Sequence, residues 1–290
     1  MKIAFIGLGS MGAPMAANLL TSDFEPIVHN RTRAKEEPLA EAGARRALDP
    51  RAAADADIVI TMVKADAEVE EVLLGPNGVV AGARPGTLVV DMSTIDPTSA
   101  RSFAERLARS DIHMLDGPVS GGTEGAEKGT LSIFVGGDER QLGSARPVLE
   151  ALGSTVTYFG PNGSGQLAKA VNQIIVGGTF MAVAEGLAFA LEAGLTDGDK
   201  LISALSAGAA SSWALENRGR RIVKGEYPLG FRVSLHRKDL RIALEEASRL
   251  GIGLPASELV LRLEDALIEA GHGDLDLSGL AKAVRDRIPT

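Results

Sequence analysis

The sequence contains no cysteine. A disulfide framework, a thiolate nucleophile and a thiolate metal site are all excluded, and a cytoplasmic protein is expected. Aromatic residues are scarce, 4% of 290, so the core must rest on Ala, Val, Leu and Ile. An excess of basic charge is also missing. Lys and Arg number 30 against 38 Asp and Glu, a formal net charge of −8. No nucleic-acid partner is expected, because such binding needs a basic face. The four histidines, His29, His113, His236 and His272, fall in no shared motif, and no metal is assigned. The apolar run Met1–Ile6 stops at Gly7, too short for a leader, with no cleavage site after it. The stretch Ile174–Leu191 is almost wholly apolar, but Glu185 interrupts it and it lacks the usual charged flanks. It reads as a buried helix, with no membrane partner.

What is present has a clear order. Short apolar runs alternate with helical patterns through the first half. Strands are expected at Lys2–Ile6, Pro26–His29, Ile58–Val63, Thr87–Asp91, His113–Leu115, Leu131–Val135 and Val156–Phe159, and helices at Met11–Leu20, Ala67–Leu74 and Ser99–Ala108. Uninterrupted aliphatic strands joined by helical crossovers predict a parallel, doubly wound sheet. The pattern changes at Gly160-Pro161-Asn162-Gly163-Ser164-Gly165, a turn-rich boundary. Beyond it, one long helix spans Gln166–Ala193, followed by shorter ones at Asp197–Ser206, Trp213–Lys224, Leu235–Leu250, Ala256–Ala270 and Ser278–Arg287. The expected architecture is an α/β Rossmann-type N-terminal domain, residues 1–162, plus an all-α C-terminal domain, residues 163–290, joined by a long interdomain helix.

The turn after the first strand reads Gly7-Leu8-Gly9-Ser10-Met11-Gly12, the spacing of a dinucleotide-binding turn. The first glycine permits the turn, the second admits the pyrophosphate to the backbone, and the third lets helix and strand pack closely. The second strand ends at Asn30-Arg31-Thr32-Arg33. A carboxylate in this slot binds the ribose 2′-hydroxyl of NAD and repels the 2′-phosphate of NADP. Here the slot holds neutral Asn30, followed by arginines suited to phosphate oxygens or simply solvated. The missing acid favours NADP(H) over NAD(H). Met62 and Val63, closing the run Ile58–Val63, are further candidate cofactor contacts.

Five more motifs follow in order: Asp91-Met92-Ser93-Thr94, Asp116-Gly117-Pro118-Val119-Ser120-Gly121-Gly122, the stretch from Gly163 through Lys169 to Asn172, His236-Arg237-Lys238-Asp239-Leu240, and Gly273-Asp274-Leu275-Asp276-Leu277. With the glycine turn, the chain resembles the β-hydroxyacid dehydrogenase family over nearly its whole length. The Asn-Arg-Thr segment, Phe231 to Arg241 and the Gly-Asp-Leu-Asp stretch resemble the NADPH-dependent glyoxylate/succinic semialdehyde reductase branch. Gly121-Gly122 is the broader form, shared with 3-hydroxyisobutyrate dehydrogenases and tartronate semialdehyde reductases. The resemblance implies a small carboxylate-bearing aldehyde or hydroxyacid substrate and a homodimer or homotetramer.

Interconverting an alcohol and a carbonyl needs a proton relay beside the cofactor. Lys169 lies just past the domain boundary, with Asn172 and Gln173 on the same helical face. By position it is either the general acid–base or a solvated lysine on an early turn; in the family it resembles, the matching lysine is catalytic, and Asn172 would orient it or the substrate. Ser120, Gly121 and Gly122 suit a carboxylate or a plain turn, and the family binds the substrate carboxylate at the matching Ser-Gly. Thr94 and Lys238 resemble cofactor contacts, Lys238 otherwise being a solvated helix charge. Asp239 is placed to hold Lys238 or a substrate group, and Phe231 and Trp213 are apolar walls of the site or core residues. The basic stretch Arg218–Lys224 reads as a solvated helix face. Two competing readings are imine reduction on the same scaffold and a catalytically silent dinucleotide-binding scaffold or sensor. Lys169 argues against both.

Overall fold

Aliphatic four-residue strands build the first half of the structure, a computed structural model describing residues 1–22, 24–195 and 197–288. The strands are β1 (Ile3–Ile6), β2 (Pro26–His29), β3 (Arg45–Arg46), β4 (Ile58–Thr61), β5 (Leu88–Asp91), β6 (His113–Asp116), β7 (Val119–Ser120), β8 (Ser132–Gly137) and β9 (Thr155–Gly160). The helices around them are α1 (Gly12–Thr21), α2 (Glu37–Glu41), α3 (Pro50–Ala53), α4 (Asp66–Leu74), α5 (Pro97–Ala108), α6 (Gly122–Lys128) and α7 (Glu139–Glu150). Every residue of β1, β4 and β5 is buried, as strands covered on both faces must be. Alternation along β1 sends Ile3 and Phe5 into one core layer and Ala4 and Ile6 into the other.

The sheet runs β3-β2-β1-β4-β5-β6-β8-β7, with β9 also on β8. The pairings from β3 to β6 are parallel, but β8 runs antiparallel to β6 and β7. The all-parallel expectation is therefore corrected at this point. A parallel return needs a crossover that spans the strand, and the seven-residue α6 is too short for one. The reversal and the two-residue strands β3 and β7 carry no hydrophobic signal.

Two compact units are formed, Met1–Lys169 and Ala170–Thr290. They divide inside the long helix α8 (Ser164–Glu192) rather than ahead of it. Its first turn is fixed to the sheet by two side chains. Asp116, fully buried at the end of β6, accepts the backbone N–H of Gly163 at 2.8 Å and of Gln166 at 3.1 Å. Burial pushes its carboxyl above the usual range, although those two N–H groups pull the other way. Gln166, also buried, donates through Nε2 to Ser93 O at 2.8 Å and accepts Ile95 N–H at 3.1 Å. Gly136 and Gly165 wall the Asp116 slot, for a Cβ on either would come within 2.9 Å of the carboxylate.

The second unit holds the rest of α8 with α9 (Gly198–Ser206), α10 (Trp213–Lys224), α11 (Val233–Arg249), α12 (Pro255–Glu269) and α13 (Leu280–Arg285), and no strand among its described residues. Its core gathers Phe180, Met181, Leu187, Leu215, Leu240 and Leu267. Helix α8 is only partly buried, contrary to expectation. Val171, Ile175 and Phe189 are 57%, 62% and 75% exposed. The helix is apolar all round, and the core takes one side of it. By length and composition alone it is long and apolar enough to cross a membrane.

The Asp116 slot generates a direct prediction. Gly165→Ala would drive a Cβ into the carbonyl oxygen of Phe134 and against Asp116. Neither can yield, so chemical denaturation should report a loss of about 2–3 kcal/mol.

Candidate active site

In the first unit, the carboxyl ends of β1, β2, β4 and β5 carry the predicted dinucleotide residues other than Lys238, which lies in the second unit. Gly7 N–H donates to His29 O at 2.9 Å, and Leu8 N–H donates to Asn30 Oδ1 at 2.9 Å. The glycine turn is thus tied to the end of β2. A Cβ on Gly12 would overlap Gly7 O, whereas one on Gly9 meets nothing within 4 Å. Helix α1 has no side-chain cap. Ala13 and Met15 donate to the carbonyls of Gly9 and Met11 and Pro14 has no N–H, so the N–H of Gly12 at the helix start is the one left to face an anion. A tight Gly12, an open Gly9 and an uncapped helix fit a bound pyrophosphate. Ser10 is exposed and Met11 half-buried at this rim. Met62 N–H donates to Ile6 O at 2.9 Å and Val63 N–H to Ser93 Oγ at 3.0 Å, which places both residues directly after β4. Thr94 is half-buried just beyond Ser93.

The segment after β2 has a different logic from the one its sequence suggests. Asn30 is spent on structure: besides taking Leu8, it donates through Nδ2 to Thr32 O at 2.8 Å, and its own N–H donates to Glu36 Oε1 at 2.8 Å. Glu36 is fully buried and holds Arg33 at 3.0 Å and Arg46 at 2.8 Å. Arg33 Nη1 also donates to Ala47 O. Arg33 is therefore a bracket on a buried carboxylate, while Arg31 and Thr32 are exposed. The sequence signal was an Arg–Glu pair three residues apart.

Ser120 closes β7, Gly121 has φ +132°, and Gly122 opens α6 with φ +61°. No side chain caps that helix. Lys169 lies one turn beyond Gln166 on α8 and is buried. Asp91, fully buried at the end of β5, accepts Thr61 Oγ1 at 2.7 Å and Ser93 N–H at 3.2 Å through Oδ1, while its Oδ2 has no partner. Burial pushes its carboxyl up to about 6.

In the second unit, α8 and α11 share a buried polar cluster. Gln173 donates through Nε2 to Asp239 Oδ2 at 2.8 Å and accepts Asn172 Nδ2 at 2.7 Å. Lys238 Nζ lies 2.9 Å from Asp239 Oδ1. His236, fully buried, faces Gln173 O through Nε2 at 3.2 Å and Glu264 through Nδ1 at 2.5 Å. Burial opposes charge on the imidazole, but the Glu264 carboxylate outweighs it, so His236 sits above its ordinary value. Burial also raises Glu264. Phe231 packs edge-on against His236, centroids 5.9 Å apart, and its N–H donates to Asp276 at 2.9 Å. Trp213 is 53% exposed under the Arg218 guanidinium, 4.7 Å from the ring centroid. Arg218 itself is buried, 3.6 Å from Asp276, which corrects the solvated reading of this stretch at that residue. The structure thus brings Asn172, Lys238 and Asp239 together and sets Trp213 on Arg218 instead. Asp116, Gln173, His236 and Asp276 were given no role from the sequence, because each takes partners from elements 28 or more residues away.

A Rossmann sheet with an open glycine turn, followed by a helical unit, is the architecture of the nicotinamide-dinucleotide oxidoreductases. Residues 2–160 match the NAD-binding domain of 6-phosphogluconate dehydrogenase, and residues 163–284 the NAD-binding region of NADP-dependent 3-hydroxyisobutyrate dehydrogenase. The chain is 41% identical over 285 residues to 2-hydroxy-3-oxopropionate reductase of Escherichia coli, covering 98% of this chain and 97% of that one. It is 38% identical over 289 residues to the NAD-dependent L-serine dehydrogenase of Pseudomonas aeruginosa, covering 97% of each. The solved 3-hydroxyisobutyrate dehydrogenase of Mycobacterium tuberculosis with L-serine superposes with a TM-score of 0.88 at 33% identity, covering 98% of this chain and 99% of that one. The chain belongs to the β-hydroxyacid dehydrogenase family and is an NAD(P)-dependent oxidoreductase.

Asp91 sets a pH-dependent cost. Its carboxyl titrates near 3.8 when unfolded and about 6 when folded, so stability falls as pH rises through that window. Asp91→Asn keeps an acceptor for Thr61 and Ser93 and removes the charge. Urea unfolding should show a gain of about 1–3 kcal/mol at pH 7.5 and little at pH 4. An equal gain at both pH values contradicts this origin.

Proposed function

We propose that the enzyme is an NADPH-dependent reductase of small carboxylate-bearing aldehydes and 2-oxo acids, of the glyoxylate or succinic semialdehyde type, reversible as a 3-hydroxyacid dehydrogenase. The observation that carries this reading is the buried Lys169, placed by the Asp116 and Gln166 anchors at the carboxyl edge of the sheet. Ligands of doubly wound folds lie at that edge. Lys169 donates a proton to the substrate oxygen as reduction turns it into an alkoxide, and recovers it in the reverse direction. Asn172 orients the lysine or the substrate.

The substrate carboxylate is held by the backbone N–H groups of Gly121 and Gly122 together with the Ser120 hydroxyl. Gly7 to Gly12 cradle the pyrophosphate, and Met62, Val63, Thr94 and Lys238 flank the nicotinamide. When bound, the nicotinamide delivers or removes the hydride. Asp239 holds Lys238, and Phe231 and Trp213 supply apolar surface to the substrate. Arg31 and Thr32, exposed beside an Asn30 engaged elsewhere, take the 2′-phosphate, with Arg33 in a supporting role. This favours NADP(H) over NAD(H).

A second reading, reduction of 2-hydroxy-3-oxopropionate, draws on the 41% identity to the Escherichia coli reductase. The exposed apolar stripe of α8 is the face assigned to a second copy in a homodimer or homotetramer.

The test is an initial-rate comparison of glyoxylate, succinic semialdehyde, methylmalonate semialdehyde and tartronate semialdehyde, each with NADPH and NADH. NADPH should be preferred by about tenfold or more in kcat/KM with the best substrate. Lys169→Ala should lose about 100-fold or more in kcat, with cofactor affinity nearly intact. The same preparation should sediment as a dimer or tetramer. Turnover retained in Lys169→Ala, or NADH preference, contradicts the corresponding part.

A further inference from the structure

The cluster on α8 and α11 has a direction that the proposed chemistry does not yet use. A carboxylate only accepts hydrogen bonds. Asp239 receives Lys238 Nζ on Oδ1 and Gln173 Nε2 on Oδ2. The NH2 end of the Gln173 amide must therefore face Asp239, which turns its oxygen the other way. That oxygen accepts Asn172 Nδ2 at 2.7 Å, so the NH2 end of Asn172 must face Gln173. What remains to Asn172 is Oδ1, an acceptor. The backbone of Gln173 is held as well, by His236 at its carbonyl, and its side chain is buried.

We propose that Gln173 is a positioning residue: the charge on Asp239 fixes the polarity of two successive amides, so that Asn172 offers an oxygen and not an NH2 group. This rests on the assignment of Lys169 and Asn172 to the chemistry. An oxygen three residues from Lys169 on one helix suits an ammonium or a substrate hydroxyl, both of which donate. An NH2 group there opposes the ammonium outright and leaves the substrate hydroxyl able only to accept. Without the carboxylate at one end, each amide is free to turn over, for its two orientations fill the same volume.

The test uses two variants of the full chain. Gln173→Met keeps the volume and removes the polarity. It should lower kcat by about tenfold to a hundredfold, with KM for NADPH within about twofold of the parent. Gln173→Glu is the sharper probe. A protonated carboxyl has one donor and one acceptor, the polarity of the amide, whereas the ionised form turns only acceptors toward Asp239.

The charged and titratable groups around this position are Lys169, four residues earlier on α8, Asp239, Lys238 and His236 on α11 and Glu264 on α12, and the substitution replaces none of them. The activity of Gln173→Glu relative to the parent, measured from pH 8.5 down to 5.5, should rise toward the parent's as the pH falls. A general loss of packing would give a ratio independent of pH. The relay is overturned if Gln173→Met keeps more than half the parental kcat, or if the Gln173→Glu ratio is flat with pH. Where Gln173→Met does not fold, the Gln173→Glu ratio decides alone. Turnover retained in Lys169→Ala is a separate result, which overturns the proton-donor assignment instead.

Discussion

The buried carboxylate of Asp116 is the contact on which the first unit's geometry depends. It ends a sheet strand and accepts two N–H groups from the first turn of a 29-residue helix. Helix starts leave four N–H groups without intrahelical partners. Here two are satisfied by a residue almost 50 positions earlier, and Gln166 adds two bonds to the loop after β5. The slot exists because Gly136 and Gly165 have no side chains to fill it. With the helix start fixed in this way, one turn of α-helix carries the chain to Lys169 at the sheet's carboxyl edge.

Several buried ionic groups elsewhere do comparable work. Glu36 gathers Arg33, Arg46 and the N–H of Asn30, and Asn30 in turn holds the glycine turn through Leu8. A carboxylate left unpaired at that depth would cost several kcal/mol, which the two guanidinium groups and the Asn30 N–H offset. His236 and Glu264 do the same between α11 and α12, while His236 also reaches Gln173. These contacts fix loops and helix starts, leaving the glycine turn open for a ligand.

Local patterns in the sequence carried much of this. The glycine spacing, the apolar runs and the helix periodicity are all read within a dozen residues, and they located the dinucleotide turn, most strands and the helical unit. The family motifs pointed to Lys169, Asn172, Lys238 and Asp239. Distant partners were not legible. Arg33 was read as a phosphate ligand because Glu36, although only three residues away, gives no sign of burial in the sequence. Arg218 was read as solvated because Asp276 lies 58 positions on. The antiparallel β8 escaped because a strand's direction depends on the length of its connection and not on its composition. The apolar stretch of α8 indicated a helix correctly but not which side of it would be left exposed.

The central claim is that Lys169 moves the proton, and amine rescue tests it most directly. Lys169→Ala should be assayed under saturating cofactor with a series of primary alkylamines. If the lysine is the proton donor, added amine should restore turnover in a saturable way, with rates that follow amine basicity as Brønsted behaviour requires. A variant that binds cofactor normally, turns over slowly and gains nothing from any amine would contradict the account.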